Sequence, residues 1–400
     1  AVHGFALGAT GNTTPLSTIA GSATGLNGTS GVALDSSGRV YIASSNNGSI
    51  VEYPYSANGN QAPATTISGA STGLSDPAAV ALDSSGRLYV ANQAADQITE
   101  YAAGASGNAA PVATISGQAT GLSSPDALTV DGNGHLWVAD YANNTLTEYA
   151  AGATGNAAPV ATVSSGLDGP TAMTIAPSGD ILVANQFGES ITGYPLNASA
   201  STNPVITISG TSTGLAFPRG VDVDTNGNIY VSNQGDSAIE EFAANANANA
   251  TPLATITGSA TGLAAPGQLA VAPPMSILTT RLPRATRHAR YHATIKVALG
   301  TTPYHWKIAK GHLPPGLRLH SATGAITGTP RKTGTYKFLV KVTDSTHPRM
   351  TATQPLSITV TRATKPTGGH GGSSRSTAHI KAALAGVIAP SGSSRRSPRS

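Results

Sequence analysis

The chain is predicted to be all-β: a six-bladed β-propeller, then an immunoglobulin-like β-sandwich, then a disordered basic tail. Three observations carry this prediction. A repeat of about 48 residues fills the first two thirds, its apolar runs are short and punctuated by turn residues, and the charge reverses where the repeat stops. Of the 400 residues, 1–274 hold three Arg, no Lys and 18 acids, a net charge of −15. Residues 275–400 hold 20 basic residues and a single acid, Asp344, a net charge of +19. Such a split within one chain points to two modules with different surroundings.

The repeat is explicit. Gly-Leu recurs at Gly25-Leu26, Gly73-Leu74, Gly121-Leu122, Gly166-Leu167, Gly214-Leu215 and Gly262-Leu263. In the same phase run the aromatics Phe5, Tyr53, Tyr101, Tyr149, Tyr194 and Phe242 and the prolines Pro77, Pro125, Pro170, Pro218 and Pro266. One unit reads as four short strands, 78–83, 87–92, 97–101 and 111–116, rich in Val, Ile, Leu, Tyr and Thr and separated by Gly, Asn, Asp, Ser and Pro. No stretch sustains a 3.6-residue period, so helices should be almost absent. Four strands per repeat of this length is the pattern of a propeller blade, whose twisted sheet buries both faces only by stacking on its neighbours.

The run from Pro77 to Tyr101 contains an apolar strand, Asp83-Ser-Ser-Gly86, a strand ending Ala91-Asn92, and then Ile98-Thr-Glu-Tyr101. It resembles the NHL-repeat family, as do Pro125–Tyr149, Pro170–Tyr194 and Pro218–Phe242 with local departures. The resemblance covers about 270 residues and implies the propeller fold. It implies little about activity, because that fold hosts sensors, scaffolds and enzymes.

A composite sixth blade is expected. The chain starts in phase at a third strand (2–7) and a fourth (15–20), and 268–272 reads as a first strand. Residues 277–279 then supply a second strand, or 275–281 belong to the next domain. A chain beginning at Ala1 is expected to have been processed or truncated, with room for further blades upstream.

The propeller is assigned to 1–275. Residues 276–361 read as a sandwich with strands at 291–298, 304–308, 317–319, 325–327, 335–343 and 355–360. The stretch Leu313-Pro-Pro-Gly-Leu317, Thr323-Gly-Ala-Ile-Thr-Gly-Thr-Pro330, Gly334-Thr-Tyr336 and Val342-Thr-Asp-Ser345 is similar to bacterial Ig-like modules of surface and secreted proteins, which are cadherin-like and need no disulfide. Arg281, Arg284, Arg287 and Arg290 depart from that pattern. Residues 362–400 are Gly/Ser/Arg-rich and expected to be disordered, with a short helix conceivable at 379–389.

Composition limits the chemistry. With no Cys there is no disulfide and no thiolate metal site. The longest apolar run, 382–389, is too short to span a membrane. Asp222-Val-Asp-Thr-Asn-Gly227 mimics the opening of a calcium loop, but its twelfth position is Asn233 rather than Glu, so a hairpin turn is expected. The ends of the second strands carry Ser44, Asn92, Asp140, Asn185 and Asn233, with Arg281 in phase if the sixth blade forms. This ring is the candidate ligand or metal site, where one carboxylate among amides would hold Ca²⁺ or a polar ligand. Capping of the following turn is the competing role. No cofactor is otherwise implied, and no catalytic residues are assigned. His3 and His135 fall at different repeat positions, which excludes a multi-His zinc site. Glu52, Glu100 and Glu148 recur at one position and are expected on the blade surface.

The expected function is non-catalytic binding or adhesion by an exported bacterial protein at the cell surface, with a protein or glycan ligand on the propeller and the sandwich as spacer. A metal-dependent enzyme like the propeller lactonases or lyases is the alternative. A third reading is retention on an anionic cell-wall polymer through the basic region 281–400, with Arg281, Arg284, Arg287 and Arg290 as the contact candidates. Nucleic acid is disfavoured, since no aromatic residues interleave with the basic ones.

Overall fold

In a computed structural model the described residues are 1–300, 302–345 and 349–362. The segment expected to be a disordered tail, with its conceivable short helix, lies outside them from residue 363 onward. Residues 1–361 form one compact unit. Nearly all of its regular structure is β, and the helical elements are single 3₁₀ turns such as Ser22–Thr24 and Gln118–Thr120. No helix among the described residues is long and apolar enough to cross a membrane.

Five four-stranded antiparallel sheets form successive blades at 29–67, 77–116, 125–163, 170–208 and 218–256. In the second blade the strands are Pro77–Leu82, Leu88–Asn92, Gln97–Tyr101 and Ala113–Ser116, within two residues of the expected bounds. The first strands of neighbouring blades pack on one another, so they line the axis and the fourth strands lie outermost. Apolar clusters sit between blades. One joins Trp137 and Leu146 to Met173, Ile181 and Tyr194, and another joins Leu182 and Ile191 to Val221 and Phe242. This arrangement is a β-propeller.

The repeat residues have specific work. The third-strand tyrosines are fully buried, and their hydroxyls donate to the carbonyl just before the Gly-Leu pair: Tyr101 to Thr72 at 2.5 Å, Tyr149 to Thr120 at 2.6 Å and Tyr53 to Thr24. Tyr194 does the same with Ser165 at 2.6 Å. Each thereby satisfies a buried loop carbonyl that packing alone would orphan. In four places an Asn of the following blade caps the turn before it: Asn60 on Ala23, Asn108 on Ser71, Asn156 on Ala119 and Asn249 on Ser212, all at 2.7 Å.

The same clasp closes the ring. Asn12 caps Ala260 at 2.6 Å, and Gly11 bridges Ile256 as Gly59 bridges Ile19. The strand pair Val2–Gly4 and Ser17–Ile19 therefore follows the fifth blade and precedes the first. The expected four-stranded sixth blade is not what forms. Residues 268–272 carry no strand, and Ser276–Ile277 pairs with Val297–Ala298 in the second domain. The cause is local. Pro273-Pro274 interrupts any ladder, and Met275 and Ile277 bury their side chains in the sandwich core. Arg281 accordingly ends no blade strand. Side chains hold the strandless segment in place: Val271 N–H donates to Asp222 at 2.6 Å and Ser232 to the Gly267 carbonyl at 2.6 Å.

The second domain packs a four-stranded sheet (285–286, 351–361, 334–343, 305–311) against a three-stranded one (291–294, 325–328, 317–319). Trp306, Ile326, Phe338, Val340, Val342 and Ile358 fill the space between them. Tyr55, from the first blade, also packs on this core. Beside it, Gly38 sits at φ 80 in the hairpin turn of that blade, and a Cβ there would lie 2.1 Å from Leu299 Cδ2. The other hairpin glycines meet no atom of the sandwich. Gly38→Ala should therefore part the two domains where Gly86→Ala does not. Faster proteolysis between residues 273 and 300 in the Gly38 variant is the expected readout, and equal rates would refute the contact.

Candidate functional site at the upper channel mouth

We call upper the face where first strands begin and second strands end. The sequence-predicted ring lies here, one member per blade: Ser44, Asn92, Asp140, Asn185 and Asn233 are all fully buried. Their polar atoms are engaged within their own blades. Asn92 Oδ1 accepts from Ser75 N–H at 3.0 Å and its Nδ2 donates to Thr99 at 3.0 Å. Asn185 does the same with Asp168 N–H and Thr192. Ser44 accepts from Asn27 N–H at 2.8 Å. Asp140 accepts from Ser123 N–H and from the Thr147 hydroxyl, both at 3.0 Å. These side chains hold the loop before each blade, and those of Asn92, Asp140 and Asn185 also reach the third strand. Among the described residues no group of three or more His or acidic side chains could hold a metal ion. Burial pushes the Asp140 carboxyl up to about 7.

The two side chains that meet across the axis, Asp126 and Arg219, each stand one place after a proline. In the second to fifth blades the register between first and second strand slips there, so Ala78, Asp126, Thr171 and Arg219 are bulge residues. A bulge re-aims its side chain out of the sheet's alternation, here toward the axis. Arg219 Nη1 lies 3.4 Å from Asp126 Oδ2, joining the fifth blade to the third. Gln268 donates to the carbonyls of Asp126 at 2.8 Å and Thr171 at 3.1 Å, so the strandless closing segment is also pinned across the axis. Burial raises the Asp126 carboxyl to about 6 even though Arg219 pulls it down. The detectable sequence signal was there: only Asp126 and Arg219 are charged at this repeat position, and their signs are opposite.

Arg219→Met should leave Asp126 buried without its partner and lower stability by about 2 kcal/mol at neutral pH, less than for a fully buried pair because the guanidinium is partly solvated. Asp126→Asn in the same chain should restore most of that loss. Urea melts of the two variants check this, and an additive loss would contradict it.

Above this crossing the face is aromatic and acidic. Phe187 is 56% exposed and tilts against Tyr141 of the preceding blade, ring centroids 5.8 Å apart. The corresponding loop positions are Asn46, Ala94, Ala142 and Gly235. Phe217 is 45% exposed at φ 48, where other blades place Gly28, Asp76, Ser124, Gly169 and Ala265. A left-handed conformation costs a bulky L-residue on the order of 1–2 kcal/mol. Exposed carboxylates Asp168, Glu189 and Asp236 lie on the same loops. Gln186 and Gln234 link the fourth and fifth blades at 3.1 Å.

The remaining sequence candidates fall elsewhere. Glu52, Glu100 and Glu148 are mostly covered rather than exposed, and pair with Arg39 at 3.0 Å, Arg87 at 2.7 Å and His135 at 2.6 Å. Glu148 holds the His135 pKa above its usual value. Asp224 caps its hairpin through Asn226 and Asn228 N–H, as expected of a turn. Asp222 instead points inward, accepting from Thr174 at 2.8 Å beside a cavity of about 300 Å³ at the lower end. Arg281, Arg284, Arg287 and Arg290 are all exposed on the sandwich, and none is in an ion pair among the described residues.

Residues 273–361 match the family described as "Putative Ig domain". That stretch is the sandwich. No curated protein matches the chain. Among solved structures, a streptogramin B lyase is 13% identical with a TM-score of 0.41, over 54% of this chain and 66% of that one. Virginiamycin B lyase from Staphylococcus aureus is 12% identical with a TM-score of 0.43, over 62% and 73%. The WD40 β-propeller domain of Doa1 is 14% identical with a TM-score of 0.43, over 61% and 72%. This chain thus spans just under two thirds of the first of these.

Proposed function

We propose that this protein is a non-catalytic binding protein that takes a protein or glycan ligand on the upper face of its propeller. The carrying observation is Phe217, a large apolar side chain kept exposed and in a left-handed conformation where the repeat elsewhere uses small or polar residues. Left-handed strain kept at a half-exposed aromatic is the kind of outlier that marks functional surfaces. Phe187, Tyr141 and the acids on their loops extend the same surface. At the axis below, the Asp126–Arg219 pair and Gln268 brace the ring.

In this reading the propeller (1–275) is of NHL type, the sandwich (276–361) is a spacer, and the protein works outside a bacterial cell, at its surface. Phe217→Gly should raise stability by about 1 kcal/mol by removing the left-handed penalty, and with Phe187→Ser should abolish binding in a panel of immobilised glycans and peptides. An unchanged panel would remove the upper face from consideration.

The alternative is a metal-dependent enzyme of lactonase or lyase type. Its specific support is Glu240, a buried carboxyl raised by burial and by Asp236 to about 8, which stays protonated at neutral pH as a general acid must. Metal analysis separates the two. One stoichiometric Ca²⁺ or Zn²⁺, lost in Asp140→Ala, would favour the enzyme.

A further inference from the structure

We propose that the outer face of the four-stranded sandwich sheet binds a linear anionic polysaccharide through Lys307, Lys310, Lys337 and Lys341. The sheet alternates cleanly. Trp306, Phe338, Val340 and Val342 turn into the core, which places the residues between them on the other face. On that face Lys307 lies directly opposite Lys341, His305 opposite Thr343, and Lys310 opposite Leu339, past a bulge between Ile308 and Lys310. On the other side of the central strand, Lys341 faces Thr353, Lys337 faces Ser357 and Thr343 faces Thr351.

Two like charges at directly opposed positions destabilise a sheet, and neutral threonines fill neighbouring positions on the same face. None of the four lysines is in an ion pair among the described residues, and the sole acid of residues 275–400 is Asp344, buried beyond the end of the central strand. The repulsion is therefore unrelieved within the domain, and an anion laid on this face relieves it.

The pattern also selects the anion. Lys307 and Lys341 rise from paired positions on strands about 4.8 Å apart, and Lys337 stands four residues from Lys341, about 14 Å along the strand, so the charges are spread over the sheet, which suits a chain with repeated negative groups rather than one isolated charge. Thr343, Thr351, Thr353 and Ser357 add hydroxyls that donate to and accept from sugar hydroxyls. The face carries no Tyr, Trp or Phe on which bases could stack, which favours a glycan over a single-stranded nucleic acid. The four lysines lie on the strands 305–311 and 334–343, whereas Arg284 and Arg287 flank the strand 285–286 at the other edge of the same sheet, and the proposal stands whether or not the propeller face binds a ligand.

The test uses the full chain and a heparin oligosaccharide as probe, titrated at several salt concentrations. Lys307→Gln with Lys341→Gln should weaken binding roughly fivefold for each lysine and flatten the salt dependence. The melting temperature of the free double variant should be equal or higher, because a repulsion is removed. Lys310→Gln with Lys337→Gln should weaken binding alike, which guards against a folding defect in the first pair. The proposal is overturned if the parent chain does not bind, or if both lysine variants bind as the parent does. It also fails if replacing the four arginines by Gln removes all affinity, or if neutral dextran binds equally. Tighter binding of an equally charged single-stranded oligonucleotide, dependent on the same lysines, would overturn it in favour of a nucleic acid.

Discussion

Asp140→Asn should stabilise the protein by about 2–4 kcal/mol above pH 7 and leave it almost unchanged below pH 4. The folded-state pKa, about 7, lies above the ordinary carboxylate value of 3.8. Below 3.8 the carboxyl is protonated in both states and contributes no difference. Between 3.8 and 7 the unfolded chain ionises while the folded one resists, so stability falls as pH rises, by about 1.4 kcal/mol for each pH unit of the gap. Above 7 the penalty is fully present. Asparagine removes the titration and keeps the contacts, since Oδ1 can accept from Ser123 N–H and Nδ2 can donate to Thr147, the pattern Asn92 and Asn185 already use. Urea melts from pH 4 to 9 check this. A pH-independent difference between the two proteins would show that Asp140 does not titrate as argued.

Glu240→Gln should give an effect of similar size displaced to higher pH. Glu240 stands where other blades carry Val51, Thr99, Thr147 and Thr192, and it accepts from Asn233 Nδ2. Burial first, and the Asp236 charge second, raise its carboxyl from 4.5 to about 8. Stability is therefore lost between pH 4.5 and 8, and the glutamine variant should exceed the parent by about 2–4 kcal/mol at pH 8.5, converging with it at pH 4. The same variant informs function. A binding protein should retain its ligand, whereas an enzyme using this group as an acid should lose turnover while keeping its fold.

Much of the fold is legible in the repeat because blade stacking demands the same side chains at the same places. The buried tyrosines, the Gly-Leu turns and the prolines that open the inner strands of the second to fifth blades recur at steps of 48 or 45 residues, and the tyrosines repeat one contact with the Gly-Leu turns. The recurrent Asn or Asp at the second-strand ends was visible for the same reason. Its repetition reflects a structural bond in every blade. The surface that departs from the repeat, Phe187 and Phe217, is found only by asking which residue breaks the pattern.

Periodicity and charge alone specify the all-β class, the propeller, the sandwich and the sign of each module, because burying a blade and solvating a face impose residue types at every turn of the repeat. Tertiary structure decides what the repeat cannot encode. The Asp126–Arg219 contact joins residues two repeats apart through a bulge that re-aims both side chains. The sixth position is held by two strands and a clasped segment, because Pro273-Pro274 and the pull of the sandwich core on Met275 and Ile277 outweigh the pairing that the phase predicted. The opposition of Lys307 to Lys341 likewise depends on strand register, which long-range packing sets.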